Sequence, residues 1–262
     1  MKFLDKVILI TGGSSGIGLE LTRQFLYGGA IVAITGRNVE RLNAAKQEFS
    51  IFGTRFLPIQ ADVTSAINCK KVIEQVNYSF ARIDVLINNA GISAQCEIDD
   101  AQANVIDAVI DTNLKGAIYM TNYCMPYLIR TKGSVLFISS IASFVGLPEY
   151  GLYGASKAAL TNFAQSLAIE AQRKKVYVGI SYLSFTQNED SKKALNARGL
   201  YISIPKRSMF FTFTREQSAS MIIRQLKKRR FKTIQGLLGK VLSVLRILVP
   251  MTFLILLLKK TK

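Results

Sequence analysis

The chain has 262 residues, of which 49% are hydrophobic, enough apolar side chains for one large α/β domain or one domain with an appendage. It contains no histidine, which excludes Ser-His-Asp triads, acid–base catalysis by histidine and histidine-ligated metals, and we expect no metal site. The three cysteines, Cys69, Cys96 and Cys124, are widely spaced, so we expect buried thiols in a reducing compartment.

The net charge of +17 is distributed unevenly. Residues 1–200 contain 20 Lys and Arg against 16 Asp and Glu, whereas residues 201–262 contain 14 Lys and Arg and a single acid, Glu216. The first part is therefore close to neutral and the last part is strongly cationic. We expect no secretory signal in the N-terminal segment, because its apolar run VILI is short and leads directly into a glycine turn.

The first elements predict a dinucleotide site. Residues 6–11, KVILIT, are typical of a buried strand, and the segment TGGSSGIG leads from it into a helical pattern. Gly12 permits a tight turn, Gly16 lets the backbone approach a pyrophosphate, and Gly18 permits close helix–strand packing. The alternative is a flexible connection without a ligand, which the strand before it and the helix after it make the weaker interpretation.

The second strand, AIVAITGR, ends at Arg37. An NAD site of this type usually has a carboxylate near this point for the ribose 2′-hydroxyl, and this chain has none. A guanidinium instead suits a 2′-phosphate. A solvated arginine at a strand end is the alternative, and we favour NADP(H).

Two further strands, FLPIQADVT and residues 83–91, IDVLINNAG, flank a helical pattern over residues 66–80. This alternation predicts a doubly wound parallel sheet. Ligands of such sheets bind beyond the carboxyl ends of the strands. We therefore expect one cluster there, with Asp62-Val63 beside an adenine ring; its members are Thr11, Arg37, Asp62, Asn89 and Ser140.

The segment from residue 140 to residue 157 predicts a proton-transfer site. Tyr153 and Lys157 lie four residues apart and share one helix face, and Ser140 ends a buried strand upstream. A phenol titrates near ~10, and a cation one turn away favours the phenolate and lowers that pKa. Ser140 is placed to hydrogen-bond the substrate oxygen. A surface packing pair is the alternative interpretation of Tyr153 and Lys157 taken alone.

Asn113 is a polar residue inside the amphipathic helical stretch VIDAVIDTNLKGAIYMTNYCMPYL. It is either an amide on a helix face or a residue that bends the backbone or holds water near Lys157. The sequence alone leaves both interpretations open.

Over residues 5–185 these motifs, in this order and spacing, resemble the short-chain dehydrogenase/reductase family. The resemblance implies a Rossmann-like domain and hydride transfer between a nicotinamide and a carbonyl or alcohol carbon. It implies that Tyr153 is the general acid/base, Ser140 polarises the carbonyl, Lys157 binds the nicotinamide ribose and Asn113 helps to hold a relay water. The cofactor-binding residues that we predict are Thr11, Gly12, Ser14, Ser15, Gly16, Ile17, Gly18, Arg37, Asp62, Val63, Asn89, Ala90, Gly91, Tyr153 and Lys157.

One segment departs from the family pattern. After its last core strand the family usually has Pro-Gly followed by a Thr, whereas this chain has Ser184-Phe185-Thr186-Gln187-Asn188. Thr186 or Asn188 is the candidate substitute for that Thr. We predict a catalytic domain over residues 1–213, with a substrate loop of irregular structure over residues 184–213.

Residues 214–262 predict a basic helix followed by a hydrophobic tail. The uncharged stretch 247–258 is interrupted by Pro250 and is shorter than the roughly 20 residues of a membrane-spanning helix. The tail is a membrane attachment, a dimerisation helix, a nucleic-acid arm or a core helix, and a segment FLILLLKK without a polar face disfavours the last. Apolar density has no use on a phosphate backbone, so we expect no nucleic acid and favour a surface of anionic lipids on the cytoplasmic side of a membrane.

The predicted function is NADPH-dependent reduction of a hydrophobic, lipid-like ketone. Catalytic core and tail together resemble membrane-associated 3-ketosphinganine reductases, and a sphingoid 3-ketone is the first substrate candidate. Steroid- and retinoid-type members of the family are the alternative, as is a non-catalytic NADP(H)-binding interaction protein. The resemblance also implies a homodimer or homotetramer.

Overall fold

The computed structural model describes residues 3–186, 193–204 and 212–248. Within these ranges the strands are β1 Val7–Thr11, β2 Ile31–Gly36, β3 Phe56–Gln60, β4 Val85–Asn88, β5 Ser93–Ala94, β6 Ser134–Ser140, β7 Tyr177–Leu183, β8 Lys193–Leu195, β9 Tyr201–Ser203 and β10 Lys232–Ile234. The α-helices are α1 Gly16–Tyr27, α2 Val39–Glu48, α3 Ala66–Phe80, α4 Ala103–Ile110, α5 Gly116–Thr131, α6 Gly151–Gln172, α7 Arg215–Lys228 and α8 Gly236–Leu248.

Seven strands form one sheet in the order β10-β7-β6-β4-β1-β2-β3, and every neighbouring pair is parallel. The strand order reverses between β1 and β4, so a crevice opens beyond their carboxyl ends. Strands β1 and β4 are buried along their whole length, as expected of parallel strands covered on both faces. The predicted doubly wound parallel sheet is confirmed.

Helices cover both faces of this sheet. On one face, α3, α5 and α6 contribute buried side chains such as Val72, Met120 and Leu160. On the other face, α1, α2 and α7 contribute side chains such as Phe25 and Ile222. The sheet is therefore the middle layer of three, and its carboxyl edge is left for the site.

The cysteines are free thiols. Cys69 and Cys124 are buried in the α3–α5 layer, whereas Cys96 is only partly buried. Burial, reinforced by the nearby Asp62 carboxylate, raises the pKa of the Cys69 thiol to about 12, and burial also raises that of Cys124. These two thiols therefore stay protonated and unreactive near neutral pH.

The predicted substrate loop contains regular structure that the sequence analysis missed. Strand β8 pairs in parallel with β5 and antiparallel with β9, which makes a separate three-stranded sheet. Strands of two or three residues have no measurable periodicity, so the sequence did not indicate them. Residues 187–192 and 205–211 of this loop lie outside the described residues.

The folded body extends beyond the domain boundary that we predicted after residue 213. Strand β10 extends the large sheet by pairing with β7. Helix α7 packs against the core through Ala219, Ile222 and Leu226, a buried stripe at helical spacing. The many Lys and Arg residues of α7 made this stripe difficult to recognise in the sequence. Residues 214–234 belong to the same layered body as the strands before them.

Helix α8 begins at Gly236, and the described part of the tail ends at Leu248. No helix within the described residues is both long and apolar enough to cross a membrane. The stretch from Val249 to Leu258, with Pro250, lies outside those residues.

A buried carboxylate fixes the amino ends of the central strands. Asp84 precedes β4, and its side chain is 6% exposed. Its Oδ2 accepts a hydrogen bond from the Val7 amide at 3.0 Å and from Arg82 Nε at 2.8 Å, and its Oδ1 pairs with Lys6 Nζ at 3.2 Å. Burial by itself opposes ionisation, but the bonds from Arg82, Val7 and Lys6 outweigh it and hold the pKa of Asp84 below its usual 3.8.

We expect Asp84→Asn to lower the free energy of unfolding by about 2 kcal/mol at neutral pH, because three donors lose a charged acceptor. A depressed folded-state pKa stabilises the protein above the unfolded value and loses this effect as pH falls through the folded value. The difference in free energy of unfolding between wild type and Asp84→Asn should therefore become smaller below about pH 4. Urea unfolding across pH measures it, with the exposed Asp99→Asn as control. Equal stability of Asp84→Asn and wild type at pH 7 would contradict the prediction.

Candidate active site

The carboxyl ends of the two central strands are bonded to each other. The Thr11 hydroxyl accepts hydrogen bonds from the amides of Asn89 at 3.0 Å and Ala90 at 2.9 Å. In return the Asn89 side-chain amide donates to the carbonyls of Thr11 at 2.9 Å and Gly12 at 3.1 Å. Two predicted motifs, the glycine turn after β1 and the Asn-Ala-Gly segment after β4, therefore meet in one hydrogen-bonded unit.

The glycine turn has the conformation that a phosphate-binding turn requires. Gly12 and Gly16 have φ of 64° and 54°, which favours glycine over residues with a side chain. A Cβ at Gly18 would lie 2.2 Å from the Gly12 carbonyl oxygen, so helix and strand meet without space between them. A Cβ at Gly16 would meet nothing within 4 Å. The turn is thus open at Gly16, at the start of a helix without acidic residues in its first turn, which fits a pyrophosphate.

The other residues of this turn adjoin the second strand. A Cβ at Gly36, the last residue of β2, would lie 2.7 Å from the Ser14 hydroxyl. Ser15 is the N-cap of α1, without a side-chain capping bond, and Ile17 packs against the core on that face of the sheet. The turn therefore lies beside the end of β2, where Arg37 begins.

Arg37 and Asp62 meet at the carboxyl ends of β2 and β3. Arg37 Nη1 lies 3.8 Å from Asp62 Oδ2, and the two side chains are 50% and 36% exposed. Such an exposed pair contributes little stability, so an incoming anion competes for the guanidinium at small cost. Val63 is buried and packs against the backbone of Gly116. A Cβ at Gly116 would lie 2.8 Å from Val63 Cγ2.

Asn113 lies in a π turn, Asp111–Lys115, between α4 and α5. Its Oδ1 accepts from the Ile92 amide at 2.8 Å, and its Nδ2 donates to the Ile92 carbonyl at 2.9 Å and to Ser156 Oγ at 3.0 Å. The side chain is 1% exposed. The extra residue of the π turn aims this amide at the loop after β4 and at α6.

Lys157 is a buried cation at the centre of the site. Its side chain lies on α6, the residue is 5% exposed, and Nζ donates to the Ile138 carbonyl at 2.9 Å. The same Nζ lies 5.9 Å from the centroid of the Tyr153 ring. A Cβ at Gly91 would approach Nζ to 3.3 Å and Asn113 Oδ1 to 3.1 Å. The absence of a side chain at Gly91 therefore allows the Lys157 ammonium and the Asn113 amide to lie close together.

Ser140 ends β6 and begins a short 3-10 turn, Ile141–Ser143. Its Oγ accepts from the Ala142 amide at 3.2 Å, and its carbonyl accepts from the Ser143 hydroxyl at 2.7 Å. A Cβ at Gly154 would lie 3.1 Å from the Ala142 carbonyl oxygen. The turn after Ser140 thus packs directly on α6 beside Tyr153.

The structure also supplies contacts that the sequence did not indicate. The acceptor for Lys157 is a backbone carbonyl, that of Ile138, and Asn113 is held by Ser156 and the backbone of Ile92. Backbone partners have no residue-type signature. The signal that the sequence offered for Ser156 is its position between Tyr153 and Lys157, and the motifs did not include it.

The segment that departs from the family pattern is described as far as Thr186. This residue forms a parallel bridge with Phe213, and its hydroxyl lies 3.4 Å from the Ser184 carbonyl oxygen and 3.5 Å from Ser218 Oγ. The first position of the segment is held by the Gln235 side chain, which accepts from the Ser184 amide at 3.3 Å. Asn188, the other candidate substitute, lies outside the described residues.

A family model described as short chain dehydrogenase matches residues 6–198. The chain belongs to the short-chain dehydrogenase family. Relatives include 11-beta-hydroxysteroid dehydrogenase-like 4A of Arabidopsis thaliana, 32% identical over 198 residues, which cover 75% of this chain and 66% of that protein. An uncharacterized oxidoreductase of Staphylococcus epidermidis is 34% identical over 178 residues, which cover 68% of this chain and 76% of that protein.

The match to 11-beta-hydroxysteroid dehydrogenase 1A of Arabidopsis thaliana is 37% identical over 169 residues, but the chain spans only 48% of that protein. Among solved structures, a short-chain dehydrogenase from Streptomyces avermitilis superposes with a TM-score of 0.79 at 23% identity, covering 93% of both chains. A family member from Burkholderia phymatum in complex with NAD superposes with a TM-score of 0.81 at 18% identity, covering 94% and 93%. These two structures show the fold that this family member shares.

We expect Gly18→Ala to lower the free energy of unfolding by about 1–3 kcal/mol, because the new methyl group overlaps backbone that cannot rotate away. Chemical denaturation measures this loss. Gly151→Ala is the matched control, since a Cβ there meets nothing within 4 Å, and we expect it to be neutral or slightly stabilising. Equal stability of the two alanine variants would contradict the tight helix–strand contact.

Proposed function

We propose that this family member is an NADPH-dependent oxidoreductase that reduces the carbonyl group of a hydrophobic, lipid-like substrate. The observation that carries the proposal is the buried Lys157 ammonium, held by the Ile138 carbonyl and 5.9 Å from the Tyr153 ring centroid. A cation in this position favours the phenolate form of Tyr153 over the phenol. That preference is what a tyrosine needs in order to release its proton at neutral pH.

The groups of the chain act on the carbonyl oxygen and its proton. The cofactor supplies a hydride to the carbonyl carbon when it is bound. Tyr153 donates its hydroxyl proton to the carbonyl oxygen, and Lys157 stabilises the phenolate that remains. The Ser140 hydroxyl accepts from the Ala142 amide and retains its own proton for a hydrogen bond to the same oxygen. Asn113 holds the loop after β4 in place beside Lys157, and the second lone pair of its Oδ1 is the acceptor with which it helps to position a relay water.

The cofactor preference rests on Arg37. Its guanidinium lies at the carboxyl end of β2, where the chain has no carboxylate for a ribose 2′-hydroxyl. The 3.8 Å approach to Asp62 leaves both side chains partly exposed, so a 2′-phosphate can take over the guanidinium. The glycine turn, Asp62, Val63 and the loop Asn89-Ala90-Gly91 complete the proposed NADP(H) site.

Two observations favour a hydrophobic substrate. Several relatives are named as hydroxysteroid dehydrogenases, which favours a steroid ketone or alcohol. The apolar stretch 247–258 favours a substrate that partitions into membranes, and a sphingoid 3-ketone remains our first candidate. A non-catalytic NADP(H)-binding protein is disfavoured because it has no physical need for Ser140, Tyr153 and Lys157 together.

We further propose attachment to the cytoplasmic face of a membrane and assembly as a homodimer or homotetramer.

The proposal predicts NADPH oxidation by the detergent-solubilised full chain with one class of hydrophobic ketone. The panel comprises 3-ketosphinganine, ketosteroids, retinal and 3-oxoacyl esters. Tyr153→Phe keeps the ring and removes the proton, so we expect at least a roughly 100-fold loss of kcat with little change in NADPH affinity. Absorbance at the NADPH band follows turnover, and the fluorescence emission of NADPH itself follows binding.

Tyr123→Phe, at a partly buried phenol on α5, is the matched control and should retain full turnover. Binding of NADPH without turnover of any ketone, in wild type as in Tyr153→Phe, would favour the non-catalytic alternative. Turnover that survives in Tyr153→Phe would exclude this tyrosine as the proton donor.

The cofactor preference gives a separate prediction. We expect Arg37→Asp to weaken NADPH binding by roughly 10–100-fold, since it removes charge-assisted hydrogen bonds and adds a like charge. NADH binding should be unchanged or improved, because the new carboxylate suits a 2′-hydroxyl. Titration with each cofactor measures both effects. Arg173→Asp, at an exposed position after α6, controls for net charge, and an unchanged ratio of the two affinities in Arg37→Asp would rule out this role.

A further inference from the structure

Helix α8 exposes a continuous apolar stripe. Leu237, Val241, Val244 and Leu248 recur at helical spacing, and they are 77%, 44%, 52% and 72% exposed. Within the described residues no side chain of the protein covers this face. A water-exposed row of four aliphatic side chains is unfavourable for a helix unless something apolar covers it.

The opposite face of α8 packs close to the catalytic strand. A Cβ at Gly239 would lie 2.8 Å from both Ile141 Cγ2 and Ile234 Cγ2, so the helix backbone rests directly on these side chains. Leu242 packs against the buried core on the same side. Because Ile141 follows Ser140, the exposed stripe lies on the outer side of a helix that borders the proposed active site.

A cationic cavity adjoins the start of this helix. It has a volume of about 440 Å³ and lies between α7, β10 and the first residue of α8, Gly236. Three cations line it, Arg224, Lys228 and Arg230, and no acidic residue does. Within the described part of the chain these three side chains take part in no ion pair. An unneutralised cluster around a concave space suits a phosphate group.

The cavity and the stripe are neighbours along the chain, since Gly236 lines the cavity and Leu237, the next residue, begins the stripe. We propose that they form one docking surface for a bilayer that contains anionic phospholipid. The stripe enters the interfacial region of the bilayer, and the cavity takes a lipid phosphate. The occupant is a lipid surface rather than a soluble anion, because a free phosphate would leave the adjoining apolar stripe in water.

This inference rests on the proposed membrane attachment, and it names the surface of the protein that makes the attachment. A helix that rests on Ile141 and dips its outer face into the bilayer holds the Ser140 end of the site next to the membrane. A substrate dissolved in the bilayer then reaches the site without crossing water. Docking itself needs no turnover, so the two proposals fail separately.

The test measures partition of the full chain onto vesicles by flotation. Vesicles of phosphatidylcholine are compared with vesicles that also contain phosphatidylserine, and with inorganic phosphate as a soluble competitor. We expect binding that requires phosphatidylserine and weakens as the salt concentration is raised, because salt screens the attraction between the cations and the lipid phosphates. Inorganic phosphate at constant ionic strength should leave the binding in place. Displacement by phosphate, or equal binding to both kinds of vesicle, would overturn the proposal.

Two variants address the two halves of the surface. Val241→Ser/Val244→Ser removes apolar surface without touching Gly239 or Leu242, and we expect at least a tenfold loss of partition, about 0.8 kcal/mol being lost per buried CH₂ group. Its matched control, Ile67→Ser/Ile169→Ser, alters side chains that are 69% and 73% exposed on other helices and should bind as wild type.

The charge variant is Arg224→Gln/Lys228→Gln/Arg230→Gln. We expect roughly a fivefold loss of partition onto phosphatidylserine vesicles per charge removed. Its control removes the same charge elsewhere, at the exposed positions Lys71, Arg173 and Lys174. Equal losses in the charge variant and its control would overturn the cavity as the site and leave only a general effect of net charge.

Circular dichroism and NADPH binding establish whether each variant is folded. If a variant does not fold, the dependence of wild-type binding on salt and on phosphatidylserine still tests the proposal. Turnover of a water-soluble ketone should be the same in wild type and in both surface variants. A stripe variant that abolishes dimerisation in solution and leaves vesicle binding intact would assign this face to a second copy of the chain and overturn the proposal.

Discussion

The hydrogen bonds between Thr11 and Asn89 are the constraint on which the rest of the site depends. Strands β1 and β4 end here, and their terminal backbone groups need partners inside the protein. The two side chains supply those partners reciprocally, through four bonds of 2.9 to 3.1 Å. A Cβ at Gly18 would also lie 2.6 Å from Asn89 Nδ2, so the same amide limits how far α1 can move. These contacts therefore fix the positions of β1, β4 and α1 at the edge of the sheet where the proposed cofactor site lies.

The buried charge of Lys157 extends this constraint to the side of the crevice where we propose that catalysis takes place. An ammonium that is 5% exposed is costly unless it is bonded, and the Ile138 carbonyl meets part of that need. Strand β6 thus contributes twice, since it holds the ammonium through Ile138 and ends at Ser140. Asn113 closes the arrangement from the π turn between α4 and α5. Sheet, turn and helix are tied together through polar atoms rather than through apolar packing alone.

In the C-terminal part of the chain, a strongly basic composition accompanies a helix that packs against the core. Helix α7 is rich in Lys and Arg, yet Gln225 is 2% exposed and donates to the carbonyls of Ile180 and Phe231 at 3.0 and 3.2 Å. These bonds connect α7 to β7 and to the residue before β10. Three cations line the cavity that leads to α8, two of them on α7, Arg224 and Lys228, and the third, Arg230, just after it. Gln225 lines the same cavity, so one helix both bonds to the sheet and borders the surface that we propose to bind anionic lipid.

The doubly wound sheet and the glycine turn could be predicted from the sequence, because strand and helix periodicity and glycine spacing are local properties of the chain. The Ser140–Tyr153–Lys157 set, predicted from residue spacing in the same way, stays a prediction. The sequence did not determine that β10 extends the sheet, that β5, β8 and β9 pair, or that Asn113 lies in a π turn. Short strands and turns acquire their hydrogen bonds from residues far along the chain, as β10 does from β7. Only the tertiary structure decided which faces remained exposed, because burial depends on neighbours that no local pattern specifies.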